Sequence, residues 1–427
     1  MPLWTPGARS GTLPGPGRIP ESRPRDDAPA RGLRLGIYLD HNATTPVRPE
    51  VVDAMAGSLA GQPGNPSSRH AWGQEARRSR ERARERVAAA LGVSPNRVCF
   101  TSGGTEADNL ALRGVLGAGG GRHLIVGATE HEAVLHTAEH LATTGGVELT
   151  ILPVESDGRI EADTLREALR PETALVSIMA ANNETGVLAD LANLGGICRE
   201  HGVPFHSDGV QAFGKIPLDL ASLPVDLLSI SAHKLGGPKG CGALVVSPDI
   251  RLTPLQTGGG QERQVRPGTE NLPGIVGFGK AAELAHEELS TEGSRLAALR
   301  DRLEAGIREA FPEAVINGLD APRLPNTSNV SFPGRDGESL MIALDLEGVA
   351  VSTGAACNAG ASDPSHVLLA MGRTRELAGA SLRFSLGRTT RESEIVEVLR
   401  ILPLLVRRSA ASGSATEAVP SNHGRNP

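Results

Sequence analysis

Between residues 98 and 246 the chain repeats one pattern: a short apolar run closed by turn residues, followed in most intervals by a stretch whose apolar positions have helical spacing. Seven such runs fall at 98–101, 123–127, 149–152, 174–179, 203–207, 227–230 and 242–246. Runs this short and continuously apolar bury both faces, as strands do in a parallel sheet covered by helices on each side. The expected fold is therefore α/β, a mostly parallel seven-stranded sheet in a large domain. After Pro273 the texture changes to a long helical pattern over 275–310, strands near 327–332, 349–352 and 381–385, and a last helix from Glu392. That reads as a smaller α+β domain, joined by the chain start near 37–46. The large domain is expected over 51–274, and the small one from 36–50 and 275–408. Residues 1–35 and 409–427 are poor in large apolar side chains and rich in Gly, Pro, Ser and Arg. Such segments bury too little surface to offset ordering entropy, so two disordered tails are expected.

Charge and aromatic content narrow the function classes. A net charge of -6 with 2% aromatic residues argues against a nucleic-acid binder, which needs a basic face and stacking rings. The Arg- and Glu-rich stretch 69–91 reads instead as a solvated helix face with i,i+4 pairs. No apolar run reaches the length of a membrane span, and the four cysteines, Cys99, Cys198, Cys241 and Cys357, show no C-x-x-C spacing. The expected home is a reducing cytoplasm.

The chemistry concentrates in the run Ser231-Ala232-His233-Lys234-Leu235-Gly236-Gly237-Pro238-Lys239-Gly240, with Asp208 and Gln211 upstream. A lysine among small residues, delivered by a strand into a turn, suits covalent bonding to an aldehyde cofactor, of which pyridoxal phosphate is the common one. That cofactor needs a carboxylate on its ring nitrogen, and Asp208, closing a strand-like run, is the candidate. Thr101-Ser102-Gly103-Gly104-Thr105-Glu106 leads from a strand into a helix, a turn that aims backbone N–H groups at a phosphate or simply reverses the chain. His131 opens a helix just beyond a strand, where it stacks on a ring, relays protons, or only begins the helix. Asn182-Asn183-Glu184 ends another strand, within reach of a cofactor oxygen or a substrate carboxylate, or forms an ordinary loop.

Cys357 lies in a segment of small residues, 352–364, too weakly hydrophobic for a core. A free thiol has a pKa of about 8.5, so part of it is thiolate at neutral pH, and Cys357 reads as a nucleophile. The other three cysteines read as packing residues. Arg383 places a guanidinium in the alternating strand 381–386, suited to bidentate capture of a carboxylate or to an edge position.

Taken together, Leu39-Asp40-His41-Asn42-Ala43-Thr44-Thr45-Pro46, Gly64-Asn65-Pro66-Ser67-Ser68, the Thr105 turn, the His131 helix start, the lysine run, Arg266-Pro267-Gly268-Thr269-Glu270-Asn271 and the Cys357 loop resemble the cysteine desulfurases of the class V aminotransferase family. The likeness spans about residues 37–405 and is closest to the nitrogenase-maturation and iron-sulfur-assembly type. It implies the fold-type I architecture of pyridoxal phosphate enzymes and a homodimer. It implies that Lys234 bonds the cofactor, Asp208 pairs with the pyridinium, His131 stacks on the ring, and Gln211 and Asn183 bond the ring hydroxyl or the substrate. Gly104, Thr105, Ser231 and His233 would hold the phosphate, with Thr269 reaching across from a partner subunit. Arg383 would clamp the carboxylate of L-cysteine. Cys357 would take the sulfur as a persulfide, release alanine and pass the sulfur to an iron-sulfur scaffold or other acceptor protein. No resident metal is expected; at most Cys357 serves as a transient iron-sulfur ligand.

Two departures stand out. Gly209 occupies a place where the family usually has Ala under the ring, which is expected to loosen cofactor packing, and Asn358-Ala359-Gly360 replaces the commoner hydroxyl residues after the cysteine. The competing readings are a selenocysteine lyase or aminotransferase of the same fold, and a catalytically silent binding partner.

Overall fold

The computed structural model describes residues 36–119, 121–354 and 363–413. The seven expected strands all form, as β2 (Val98–Thr101), β3 (His123–Gly127), β4 (Glu148–Leu152), β5 (Thr173–Ser177), β6 (Phe205–Asp208), β7 (Leu227–Ser231) and β8 (Gly242–Val246). They make one sheet in the order β2-β8-β7-β6-β5-β3-β4. Neighbours pair in parallel except on the two sides of β8, which runs against both β7 and β2.

All but the edge strand β4 bury both faces. Val98, Phe100, Ile125, Val176, Leu228, Ile230 and Val245 point into one apolar cluster, and Cys99, Leu124, Val126, Leu175, Leu227 and Leu244 into another. The first lies under helices α1 (Pro49–Gly61), α2 (Ala71–Ala89) and α6 (Leu191–Glu200), the second under α3 (Gly104–Gly117) and α4 (Glu132–Thr144); the short α5 (Ala162–Ala168) closes the β4 side. Alternation of side chains along each strand thus supplies two half-cores from one run.

The remaining strands form two small sheets. In one, β12 (Ser381–Ser385) pairs with β10 (Thr327–Ser331), and β10 with β9 (Val315–Ile316), all antiparallel. In the other, β1 (Ile37–Tyr38) pairs in parallel with β11 (Val349–Ala350), so the start of the chain is held beside its last third. Around them pack α8 (Gly337–Leu346), α10 (Arg375–Gly379) and α11 (Glu392–Gly413), with α9 (His366–Ala370) against α10. The helical residues 409–413 are ones where composition predicts the beginning of a tail; the other residues expected to be disordered lie outside the described ones.

The boundary expected near residue 274 falls inside a single helix, α7 (Leu272–Ala310). Its first half gives Ile275, Phe278, Ala281 and Ala282 to the large-sheet core, and its second half gives Leu299, Leu303 and Ile307 to the core of the small sheets. Pro273, where the sequence texture changes, sits in the first helical turn, where a missing N–H costs nothing.

Helix α2 is less solvated than its charges suggest. Its ion pairs Glu75–Arg78 and Glu81–Arg84 are spaced i,i+3, and Arg84 is 2% exposed. The Arg84 guanidinium donates to both carboxylate oxygens of Glu262, at 2.8 and 2.7 Å, and to the Val98 carbonyl at 2.8 Å. It also lies 4.8 Å from the centre of the Phe100 ring. Glu262 accepts the Phe100 N–H at 2.8 Å as well, from a turn in which Glu262, Arg263 and Gln264 have φ of 44°, 57° and 67°. Three consecutive non-glycine residues in the left-handed region are strained, and the buried carboxylate cluster holds them there.

Candidate functional site

The carboxyl ends of the parallel strands, where open α/β sheets bind ligands, deliver most of the expected side chains to one place. Strand β7 stops at Ser231, and the 3-10 turn Ala232–Lys234 carries the lysine off the sheet edge. Gly236 follows with φ 83°, and a Cβ there would stand 2.6 Å from Arg48 Cγ, so this return requires glycine. Lys234 Nζ donates to the backbone carbonyls of Asn42 (2.5 Å) and Ala43 (2.8 Å). Next to it, β6 ends at buried Asp208, whose Oδ1 accepts the Val210 N–H at 2.8 Å.

Lys234 and Asp208 line a single cavity of about 300 Å³, together with Gly104, Thr105, His131, Asn183, Gln211, Ser231, His233 and Arg383. Burial pushes the Asp208 carboxyl up, while His131 and Lys234 pull it down. His131 caps α4: its Nδ1 accepts the Ala133 N–H at 3.1 Å, which places the ring proton on Nε2. Burial holds this imidazole below the ordinary histidine range, against the opposite pull of Asp208. His233, whose Nδ1 lies 3.2 Å from Thr44 Oγ1, is lowered by burial to about 4 and is neutral at pH 7.

Several polar atoms in this cavity lack partners among the described residues, and such atoms in a buried place point to an expected ligand. They include Ser231 Oγ and Arg383 Nε. A Cβ on Gly104 would stand 2.6 Å from Val210 Cγ2, so the first turn of α3 and the loop after Asp208 close on each other. Arg383, on β12, is 4% exposed; it donates to Asp40 Oδ1 at 2.7 Å and to the Asn183 carbonyl at 3.2 Å.

Thr269 is exposed and does not line this cavity. Cys357 lies outside the described residues. Gly354, the last described residue before it, lines the cavity and also a neighbouring space of about 340 Å³ that Asp363, Ser365 and His366 border. At Gly209 a Cβ would meet Leu228 Cδ1 at 2.7 Å, so the missing methyl is taken up by the neighbouring strand's leucine. The glycine fits the protein packing there. Sequence reasoning gave Asp40 and Asn42 no role beyond the motif that contains them, and passed over Asp108 and Lys215. Asp108 is buried in the cavity wall, its Oδ1 3.7 Å from His206 Nε2, and burial, with Asp208 second, pushes its carboxyl far up. The signal available for Asp108 and Lys215 was spacing: each falls about one helical turn after an expected site residue, Thr105 and Gln211.

A lysine and a buried acid line one cavity at the strand ends of a doubly covered sheet, the arrangement of an α/β enzyme. The chain belongs to the aminotransferase class-V family, whose model matches residues 37–398. It is 45% identical over 374 residues to the cysteine desulfurase IscS of Methanosarcina thermophila, covering 87% of this chain and 92% of that one. With the cysteine desulfurase IscS of Methylococcus capsulatus it shares 48% over 368 residues, 85% of this chain and 90% of the relative. Among solved structures it is similar to a NifS-like protein (TM-score 0.82, 38% identity, covering 88% of this chain and 100% of that one). It is also similar to DndA from Streptomyces lividans (TM-score 0.70, 40% identity, covering 80% and 97%).

Among the described residues no helix is long and apolar enough to cross a membrane, and no group of three or more His, Cys, Asp or Glu is placed to hold a metal.

Proposed function

We propose that the protein is a pyridoxal phosphate-dependent L-cysteine desulfurase. The observation that carries this reading is the placement of Lys234 and Asp208 in the wall of one cavity, with Ser231 Oγ and Arg383 Nε left unpartnered there among the described residues. The residues fit the cofactor: an amine to bond its aldehyde, a buried carboxylate for its ring nitrogen, and the α3 turn with Ser231 and His233 for its phosphate. When bound, the cofactor supplies an electron sink that labilises bonds at the substrate Cα.

The chain's own groups do the rest. Asp208 is stabilised as an anion by a positive charge facing it, which offsets the cost of its burial. His131, neutral and fixed by its cap, covers the ring face, while Gln211 and Asn183 orient the ring oxygen or the substrate. Arg383, its guanidinium already held by Asp40, presents its remaining N–H to the substrate carboxylate. Lys234 Nζ takes the proton from the substrate Cα. Cys357 Sγ attacks the substrate sulfur; the Cβ–S bond breaks, an S–S bond forms, and a proton added at Cβ completes alanine. The thiol is oxidised to a persulfide as the Cβ–S bond is reduced to C–H, so atoms and electrons balance. Thr269, exposed in a single chain, is suited to complete the phosphate site of a second copy, which makes the working unit a homodimer. The persulfide sulfur is passed to an iron-sulfur scaffold or another acceptor protein, in the cytoplasm.

The test is mass spectrometry of the cofactor-loaded protein after incubation with L-cysteine. One added sulfur on Cys357 is expected, and Cys357→Ala should retain the cofactor yet lose alanine formation. Added sulfur elsewhere, or full turnover by Cys357→Ala, refutes the reading.

A further inference from the structure

One buried carboxyl stands where three parts of the chain meet. Glu184, 3% exposed, sits in the turn beyond β5, which Asn182 holds in shape: Asn182 Oδ1 accepts the N–H groups of Glu184 and Thr185, each at 2.9 Å, and Asn182 Nδ2 donates to the Thr129 carbonyl at 3.0 Å. The residue before it, Asn183, lines the cavity of Lys234 and Asp208, and its carbonyl accepts Arg383 at 3.2 Å and Asn42 Nδ2 at 3.1 Å. Glu184 Oε2 accepts the Ser365 hydroxyl at 2.5 Å, and Ser365 Oγ in turn accepts the Leu368 N–H at 3.2 Å, capping α9. The next residue, His366, donates from Nε2 to the Glu130 carbonyl at 3.0 Å.

On its other side Glu184 meets Gly354. A Cβ at Gly354 would run into Glu184 Oε2 and stand 3.3 Å from Ser365 Cβ, while the φ of this glycine lies outside the left-handed region. Space, not a left-handed φ, calls for glycine here, and the carboxyl is what fills the space. Two residues earlier, Ser352 exchanges both backbone hydrogen bonds with Arg383, at 3.2 and 2.6 Å. Gly354 and Ser365 flank the stretch of sequence that contains Cys357. One carboxyl therefore touches the chain on both sides of that stretch and belongs to the turn that carries Asn183. Burial pushes the Glu184 carboxyl up, and the Ser365 hydroxyl, His366 and Arg383 pull it down. The junction needs an acceptor oxygen at this place, not a charge.

We propose that Glu184 is a positioning residue for Cys357: by seating Gly354 and Ser365 against one carboxyl, it fixes the two points from which the thiol reaches the substrate sulfur. The inference rests on Cys357 being the sulfur acceptor of the proposed reaction. Fixing both ends of a short stretch limits how far it wanders, and misplacing a reacting atom by about 1 Å costs about a hundredfold in rate. Glu184 thus acts on the sulfur step, and not on the proton that Lys234 takes from the substrate Cα.

The test separates those two steps in the cofactor-loaded protein, comparing wild type with Glu184→Ala, Glu184→Gln and Gly354→Ala. Exchange of the cysteine Cα hydrogen with deuterated water, read by mass spectrometry of recovered cysteine, reports on Lys234. The single-turnover rate of sulfur addition to Cys357 reports on the thiol. Glu184→Ala should slow sulfur addition about ten- to a hundredfold and leave Cα exchange within about twofold of wild type. Glu184→Gln, which keeps an acceptor oxygen for Ser365, should restore most of the rate. Gly354→Ala should show the same selective loss, and the double variant with Glu184→Ala should lose no more than either alone, because both remove one contact. A readout without turnover is amide hydrogen exchange of the cofactor-free protein: the Leu368 N–H should exchange faster in Glu184→Ala and not in Glu184→Gln. If sulfur addition and Cα exchange fall together, or sulfur addition is untouched in Glu184→Ala, the inference fails. If Gln is as slow as Ala, the acceptor oxygen is not what matters and it fails too. Should Glu184→Ala not fold, Gly354→Ala decides: a selective loss supports the inference, and an even loss or none overturns it. Absence of added sulfur on Cys357 in wild type would instead remove the functional reading itself, and this inference with it.

Discussion

Glu262 offers a test of what holds the turn before α3 in place. Truncation to Ala removes two charge-assisted bonds from Arg84 and one from the Phe100 N–H. Breaking a buried pair from one side costs about 3–5 kcal/mol, because the surviving charge is left without compensation. Here the lower end applies, since Arg84 keeps the Val98 carbonyl and the half-exposed Glu81. The orphaned Phe100 N–H adds about 1 kcal/mol or more, and Ala at φ 44° recovers none of the backbone strain. Glu262→Ala should therefore lose about 4 kcal/mol. The double variant Arg84→Met with Glu262→Met carries no buried charge, and should lose only about 1–2 kcal/mol. Urea unfolding of all variants, followed by far-UV circular dichroism, measures both values and their coupling, provided the slopes stay equal. A Glu262→Ala loss below about 1 kcal/mol, or a double variant as unstable as the summed singles, would show that the pair does not anchor this region. Because Phe100 directly precedes the Thr101 to Thr105 turn, the same variant should also retain pyridoxal phosphate less well in dialysis.

Three further outcomes follow from the geometry. Gly209→Ala places a methyl 2.7 Å from Leu228 Cδ1 and should cost about 1–3 kcal/mol by overcrowding, read as a lower melting temperature; a stabilised variant would contradict the packing described. His41 and His206 are lowered by burial to about 4 and about 3, so the unfolded chain binds their protons first; stability of the cofactor-free protein should fall as pH drops below about 6.5 toward 4, and His206→Gln should flatten the lower part of that decline in urea midpoints. Burial raises the thiols of Cys99, Cys198 and Cys241 to about 12, so at pH 8 a thiol reagent should label none of the three in native protein and all of them after denaturation; rapid native labelling of any one would count against their assigned packing role.

Much of this architecture was legible because burial on both faces leaves a continuous apolar run in every strand of the large sheet but the edge strand β4, and each of the seven runs became a strand. Direction was not legible: nothing in Gly242–Val246 distinguishes an antiparallel strand from its parallel neighbours. The two-residue strands β1 and β9 were not read as strands, whereas β11, equally short, was read from the apolar run 349–351. The segment Glu262 to Gln264 was opaque for a different reason, since left-handed backbone is ordinarily marked by glycine and here is imposed by a carboxylate bound from another element. Within the site, Lys234, Asp208 and His131 were legible because strand ends announce themselves. Asn42 and Lys215 were not, because their mutual hydrogen bond forms only when the chain start is laid against the loop after β6. Arg383 was read as a carboxylate clamp, but its standing partner, Asp40, sits 343 residues away in the chain and left no local trace.

Helix α7, with 39 residues, runs for about 58 Å without a break. It joins the core behind the strand that carries Lys234 to the core behind the strand that carries Arg383, and Ala285 and Leu296 lie on the stretch between them, where they border a space that Lys234 also lines. A change in side-chain bulk at either position would therefore be transmitted to both cores through one rod.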